Sequence, residues 1–325
     1  MGLPTDVLKA WEACDCTDTL FVLVCYVFCW GIVPAVEIAY SGYPIRSNSL
    51  AAVIPSILAV IFSFFQLVFQ AAVCAIAVGG ACERRKILPL NPFIFTRYQT
   101  FRSKKSSTRT PSHLVIHRPV NSLCQSLAMI SIWGSWLASD AGTTLAFNFE
   151  SAMALCVTNL CAASGAATWM LYTYVEVGRW SLDSCFMGAI SGLIMITLSA
   201  GFIDVPSVMG FGIVSALFYR QTLKIKFNNF ARRWRWVDRG DTFATHCLGG
   251  FLATIGTGCL ARKEVSGYDG VTEIAGGVFF DGNVRQLGIQ IMEALVGFTW
   301  SFVGSFTIYA LIDCVPGFKV LAEDK

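Results

Sequence analysis

The sequence predicts an all-α polytopic membrane protein, on the basis of its composition, the hydropathy of its segments and the distribution of its basic residues. Hydrophobic residues make up 55% of the 325-residue chain and charged residues 14%, and the mean hydropathy is +0.59. An ordinary soluble domain carries about 25% charged residues. A soluble protein this apolar would lack the polar surface that meets water, so that class is disfavoured.

Eight apolar segments are candidate membrane spans, because a spanning helix needs roughly 20 mostly apolar residues. They are 19–41, 50–82, 123–147, 151–175, 184–203, 206–222, 242–261 and 287–314. The segment 50–82 is too long for one upright span and too short for two comfortable ones. The stretch before the first segment holds four acids and one lysine, so no cleavable signal peptide is predicted.

Two clusters of basic residues set the predicted orientation. Nine of the 24 Lys and Arg residues lie in 83–122, and seven lie in 220–240. Cytoplasmic loops carry the excess of basic residues, so both regions are expected inside the cell. The Ser/Thr-rich stretch FRSKKSSTRTPSH could suit RNA or anionic lipid, but a solvated cytoplasmic loop is favoured and no nucleic-acid partner is predicted.

His246 is the most informative polar residue inside a predicted span, in the segment DTFATHCLGGFLATIGTG. An ionisable side chain in a membrane is costly unless it faces protein or a cavity, so a pore role and a satisfied core role both stay open. Asp238 and Asp241 lie at the N-terminal end of this helix, where the macrodipole favours anions. No Cys or carboxylate cluster surrounds His246, His113 or His117, so no metal or cofactor is predicted.

Glycines recur at helix-packing spacing in the second half of the chain. Gly188 and Gly192 form a GxxxG pair. Four more crowd the segment that carries His246: Gly249, Gly250, Gly256 and Gly258. Because helix association in lipid depends on close backbone approach, these glycines are predicted to lie at helix contacts.

Several stretches in chain order resemble the ammonium transporter family (Amt/Mep/Rh), and the C-terminal part resembles its fungal-type branch. WVDRGDTFATHCLGG resembles the segment in which paired aspartates precede a pore histidine and two glycines. IWGSWLASDAGTTLA resembles the sixth helix, LCVTNLCAASGAATWMLY the seventh and MGAISGLIMITLSAGF the eighth. The resemblance covers 123–317 almost without a gap and 19–95 in pieces.

The resemblance implies a bundle of about eleven helices, built from two inverted five-helix repeats and assembled as trimers with one pore per subunit. It implies a transporter of ammonium or ammonia, not an enzyme. Ammonium would be recruited in an outer vestibule, pass a phenylalanine gate and enter an apolar pore lined by two histidines. The expected partners are the lipid bilayer and further subunits, in a homotrimer or a mixed trimer with full-length relatives, and the expected location is the plasma membrane.

Residue by residue, the resemblance assigns pathway roles and helix-capping roles. The pathway residues are His246 (second pore histidine), Trp136 (sixth-helix Trp), Thr197 (eighth-helix Thr), Thr143 (in place of a vestibule Ser), and Phe65 and Phe69 (third-helix Phe-Gln-x-x-Phe, with Phe69 at the outer gate). The capping residues are the paired aspartates Asp238 and Asp241.

The chain also departs from the family pattern. Ser139 stands in the pathway where the second gate phenylalanine is usual, and Asp140 stands where the following Asn is usual. Between Phe95 and His117 the fourth and fifth helices have no counterpart, so about eight of the eleven helices are expected. The vestibule aspartate and the first pore histidine are expected to be absent with them.

These observations divide the chain into five predicted parts. They are an extracellular N-terminus (1–18), a remnant of the first inverted repeat with merged second and third helices (19–82), a basic cytoplasmic connector (83–122), the second inverted repeat (123–262), and an outer loop, last helix and short cytoplasmic tail (263–325). Two functions follow. The first is ammonium transport past His246, and the alternative is a non-conducting relative that acts as a trimer subunit or sensor, or the product of a decayed or misassembled gene.

Overall fold

The computed structural model describes residues 15–32, 35–36, 122–227, 241 and 243–313, which form helices joined by short turns. The helices are α1 (Cys16–Cys29), α2 (Ser122–Gly142), α3 (Phe149–Val177), α4 (Leu182–Thr197), α5 (Val205–Thr222), α6 (Gly249–Leu260), α7 (Lys263–Ser266), α8 (Val278–Asp281) and α9 (Val284–Asp313). A π-helix, Phe243–Leu248, runs directly into α6, and 3-10 turns follow α5 (Leu223–Phe227) and α7 (Gly267–Asp269). The predicted all-α class is confirmed.

Three of the described helical segments are long and apolar enough to cross a membrane, by length and composition. They are Phe149–Val177, Phe243–Leu260 and Val284–Gly304, and two shorter apolar helices, Thr17–Cys29 and Leu182–Thr197, accompany them. These segments fall within or overlap predicted spans, which supports a polytopic membrane protein. The predicted segment 50–82 lies outside the described residues.

Two predicted spans end too late, because hydropathy does not detect helix termini. The span predicted over 123–147 stops at Gly142, where the Thr143 and Thr144 hydroxyls donate to the carbonyls of Asp140 and Ala141 and Leu145 has a φ of 59°. The span predicted over 184–203 stops at Thr197, and the apolar residues after it form turns.

Helices α3 and α4 approach each other at glycines. A methyl group at Gly188 would lie 2.5 Å from the carbonyl oxygen of Gly165, and one at Gly192 would overlap the carbonyl oxygen of Cys161. Atoms do not approach so closely, so a side chain at either position would push the helices apart. The predicted packing role of the GxxxG pair is confirmed.

The start and end of α3 are set by local sequence. The Asn148 side chain accepts from the Ser151 backbone N–H at 2.9 Å, and the Ser151 hydroxyl accepts from the Asn148 N–H, which forms a capping box. This arrangement satisfies N–H groups that have no partner within the helix. The helix ends at Gly178, whose φ of 71° lies in the left-handed region that glycine adopts without steric cost.

Helix α4 lies at the centre of the described bundle. Its residues 191–196 are all buried, and it packs against α3, α5 and α6. Helix α9 packs mainly along α6, where a methyl group at Gly258 would lie 3.1 Å from the Leu287 Cα atom. Residues on α4 are therefore held from several sides, whereas among the described helices α9 is held mainly by α6.

The turn after α6 is fixed to the turn between α4 and α5. The Arg262 backbone N–H donates to the Phe202 carbonyl at 2.8 Å, and its guanidinium pairs with Asp204 at 3.1 Å. The same guanidinium stacks over the Phe280 ring, with 3.5 Å between its carbon and the ring centroid. These contacts fix the ends of α4, α5 and α6 at one side of the bundle, next to α8.

Candidate transport pathway

Trp136 and Thr197 meet between α2 and α4. The Trp136 indole Nε1–H donates to the Thr197 hydroxyl at 2.7 Å, and that hydroxyl donates to the Leu193 carbonyl at 2.7 Å. The indole ring also packs against a buried group that includes Trp169 and Tyr219. Two residues assigned to the pathway from separate motifs are thus joined by one hydrogen bond, which fixes the indole against α4.

His246 lies in the π-helix that precedes α6, and its side chain is partly buried. The segment 242–261 was predicted as a helical span, and Phe243–Leu260 is helical, but its first six residues form a π-helix. Asp241, with a φ of 52°, starts the segment, and its backbone carbonyl accepts from the Thr245 N–H at 2.8 Å and the Thr245 hydroxyl at 2.7 Å. π-helical segments are rare in proteins, and those that occur are often found at functional sites.

The π-helix containing His246 packs against α4 and α5. Within the described residues, no hydrogen bond joins His246 to another of the predicted pathway residues. The backbone of Asp241 provides the observed capping contacts, and the predicted capping role of its side chain stays a prediction. Phe65, Phe69 and Asp238 lie outside the described residues.

Tyr219 on α5 fixes the distance to the helix that carries His246. Its side chain is fully buried, and a methyl group at Gly249 would overlap its hydroxyl. Gly256 is likewise covered by the Phe211 ring, whereas a methyl group at Gly250 would have no atom within 4 Å. The predicted packing role is therefore confirmed for Gly249, Gly256 and Gly258, whereas no described helix packs this closely against Gly250.

Three polar residues at the C-terminal end of α2 differ in how deeply they are buried. Ser139 and Asp140 are buried, whereas Thr143 is exposed just beyond the helix end. The Thr143 hydroxyl donates to the Asp140 carbonyl at 2.7 Å. The Asp140 carboxylate accepts from the Thr158 hydroxyl on α3 at 2.9 Å.

The contact between Asp140 and Thr158 was not anticipated from the sequence. The sequence does not show which neighbouring helix the hydroxyl of a Ser or Thr faces, because such a hydroxyl can also donate to a carbonyl of its own helix.

The described residues contain no group of three or more His, Cys, Asp or Glu side chains arranged to hold a metal ion.

Comparison with known proteins decides the family. Residues 98–325 match the Ammonium Transporter Family. The chain belongs to this family. Membership places it among multi-pass membrane transporters and agrees with the resemblance of its motifs.

Individual relatives in the Ammonium Transporter Family are distant. Ammonium transporter 2 of Schizosaccharomyces pombe is 24% identical over 400 aligned positions, covering 93% of this chain and 76% of that protein. Ammonium transporter 3 of the same organism is 32% identical over 198 residues, covering 61% of this chain and 37% of that protein. The first alignment runs over more positions than the 325 residues of this chain, so it contains gaps opposite this sequence.

Solved structures in the same family share the fold. The crystal structure of Candida albicans Mep2 superimposes with a TM-score of 0.80 at 22% identity, covering 96% of this chain and 88% of that one. Saccharomyces cerevisiae Mep2 gives a TM-score of 0.79 at 19% identity, covering 95% and 88%. The chain therefore has the helical membrane bundle of ammonium transporters.

Proposed function

We propose that this chain serves the transport of ammonium across the plasma membrane, and that its second half supplies the histidine-bearing wall of an ammonia pathway. The observation that carries the proposal is the hydrogen bond between Trp136 and Thr197, in the same bundle as the π-helix of His246. Three predicted pathway residues from separate motifs thus lie on α4 or on helical segments packed against it. We propose no catalytic role.

The energetics favour crossing as ammonia. Moving a bare cation into a low-dielectric interior costs on the order of 20 kcal/mol by the Born estimate. Contact with an aromatic face offsets only about 0.5–2 kcal/mol of this. The cation is therefore selected in an outer vestibule near Thr143, the apolar section is crossed as ammonia, and the proton is handled separately along a route that includes His246.

A non-conducting role is the alternative, favoured by two observations. The chain spans only 37% of S. pombe ammonium transporter 3 and 63% of ammonium transporter 1. Ser139 is buried, and if it stands in place of the second gate phenylalanine, as the resemblance implies, its side chain is too small to exclude water as a ring would. In this alternative the chain acts as a subunit of a mixed trimer or as a sensor, while a full-length relative conducts.

The test is uptake of labelled methylammonium, with growth on low ammonium, in cells that lack their own transporters. We expect the 325-residue chain alone to give no uptake above the empty-vector level. A chimera that inserts the fourth and fifth helices of a relative between Phe95 and His117 should restore uptake.

His246→Ala should abolish the uptake of that chimera, whereas His117→Ala, the control at the end of the predicted solvated connector, should leave it unchanged. Retained uptake in the His246→Ala chimera would contradict the assigned pore role. Robust uptake by the unmodified chain, abolished by His246→Ala, would show instead that the existing helices already build a complete pore.

A further inference from the structure

The buried carboxylate of Asp140 is the one acidic side chain that the described structure encloses within the α2–α4 bundle. Asp140 is 4% exposed, and its partner Thr158 is fully buried. The Thr158 hydroxyl donates to Asp140 Oδ2 at 2.9 Å, so the contact joins α2 to α3. Asp140 follows Trp136 by four residues and therefore lies one turn along the same face of α2.

No described basic side chain balances this carboxylate. The ion pairs found in the described part of the chain are Arg220 with Glu176, Arg262 with Asp204, and Lys263 with Asp281, all at helix ends. Among the described residues, the thiols of Cys29 and Cys161 lie near Asp140, and neither supplies a positive charge.

One hydroxyl does not satisfy a buried carboxylate. Two carboxylate oxygens offer about four acceptor sites, and Thr158 fills one of them. Such a group inside a membrane either binds a proton or faces a cation, and intramembrane acids of this kind mark ion pathways. A purely structural hydrogen bond to Thr158 would be made equally well by the uncharged amide oxygen of an Asn.

We propose that Asp140, with the Thr158 hydroxyl, forms an intramembrane binding site for a monovalent cation that donates hydrogen bonds, ammonium above all. A single carboxylate matches a single positive charge, and the remaining acceptor sites match N–H donors. Divalent ions such as Ca²⁺ take six to eight oxygen ligands, more than one carboxylate and one hydroxyl provide. The inference rests on the proposed function only for the choice of ammonium as the ion.

The site would act differently from an apolar pore. Ammonium held by Asp140 is retained as the cation, one turn from the Trp136–Thr197 contact, instead of passing as ammonia. Retention favours a chain that binds ammonium and responds to it over one that conducts it rapidly. The binding site and the transport activity can therefore be tested separately.

The test uses the purified 325-residue chain in lipid nanodiscs, titrated with ammonium chloride. Calorimetry measures binding, and infrared difference spectra report whether the carboxyl group is protonated. We expect saturable binding, with loss of a protonated-carboxyl C=O band and gain of carboxylate bands as ammonium is added. Sodium chloride should not reproduce the change.

Asp140→Asn, which keeps the shape and can still accept from Thr158, should remove the band and weaken ammonium binding at least tenfold. Thr158→Val should weaken binding by a smaller factor. The control is Ser215→Ala, which removes a buried hydroxyl contact to Ser191 between α4 and α5 at 3.4 Å and should leave binding unchanged.

Two results would overturn the proposal. In the first, the protonated-carboxyl band persists at saturating ammonium, which would mean that Asp140 is a permanently neutral packing group. In the second, the group is already ionised without ammonium and Asp140→Asn does not alter binding, which would mean that a basic residue elsewhere in the chain neutralises it. Either result leaves the uptake test of the proposed function unaffected.

Discussion

Helices α3 and α9 are both long and apolar, yet they are held in the molecule in different ways. In the most apolar 18-residue stretch of Phe149–Val177, 44% of the residues are buried, whereas none is buried in that of Val284–Gly304. The buried face of α3 consists largely of small residues, such as Ala162 and Gly165, that let α4 approach. The exposed face of α9 carries large side chains, including Phe298, Trp300 and Phe302.

The comparison shows that hydropathy and packing are separate properties in a membrane bundle. Lipid tails are as apolar as Leu, so apolar character alone does not bring helices together. Close approach between α3 and α4 depends on glycines, whereas the polar contact between Asp140 and Thr158 joins α2 to α3. Helix α9 meets α6 along one side, and its large side chains suit contact with lipid or with another subunit.

The largest effect is expected where α3 and α4 touch. Gly192→Ala should lower the thermal unfolding midpoint of the purified chain, because overpacking a tight contact costs about 1–3 kcal/mol. Gly250→Ala is the matched control, since its methyl group would meet no atom within 4 Å. A midpoint for Gly192→Ala equal to that of Gly250→Ala would show that the two helices do not pack as described.

A smaller effect is expected at the hydrogen bond between Trp136 and Thr197. Trp136→Phe and Thr197→Val should each lower the free energy of unfolding, and the double variant should lose about 0.5–1.5 kcal/mol less than the sum of the two. The measurement is a double-mutant cycle from denaturation in detergent. Strictly additive losses would show that the 2.7 Å contact contributes nothing to stability.

A still smaller effect is expected on α9. Trp300 is 81% exposed, so Trp300→Ala should change the free energy of unfolding of the isolated chain by less than about 0.5 kcal/mol. If the exposed face of α9 contacts another subunit, cross-linking in membranes should instead detect a reduced trimer fraction for Trp300→Ala. A fall in the unfolding midpoint comparable with that of Gly192→Ala would contradict the difference drawn between the two regions.

The fold class and the positions of most described helices could be predicted from the sequence, because spans in a bilayer must be long and continuously apolar. Segments 151–175 and 206–222 agree with α3 and α5 to within two residues at each end. The ends of α2 and α4 could not be predicted, since turns made of apolar residues, such as those after Thr197, have the same hydropathy as the helix before them.

Some features of the candidate site could be predicted from the sequence and others could not, for a related reason. Trp136 and Thr197 were identified from motifs, and the structure joins them, but the motif did not indicate that His246 lies on a π-helix. That geometry depends on the left-handed backbone of Asp241 and on tertiary contacts with α4 and α5, which the sequence of one segment does not encode. The packing role of each glycine could not be predicted for the same reason. Gly249 and Gly250 are neighbours in the sequence and differ only in the direction in which each faces.

Helix α1 gives the smallest and most local test, because many of its large side chains are exposed and its start depends on one cap. The Asp15 carboxylate accepts from the backbone N–H groups of Thr17 at 2.6 Å and Asp18 at 3.4 Å, and the first of these bonds does most to hold the pKa of Asp15 below its ordinary value of 3.8. A group whose pKa is lowered by folding contributes stability above its unfolded pKa and loses it as the pH falls through the folded value.

Asp15→Ala should therefore lower the protection of the amides in the first turn of α1, measured by hydrogen exchange at neutral pH. Asn also caps helices but does not titrate in this range, so Asp15→Asn should retain much of the protection. As the pH falls below 3.8, the advantage of the wild-type chain over Asp15→Ala should shrink, whereas that of Asp15→Asn should stay constant. A wild-type advantage that persists well below this pH would mean that packing against α2, and not the cap, sets the start of α1. Peripheral helices such as α1 would then be held by packing, as the central helices are.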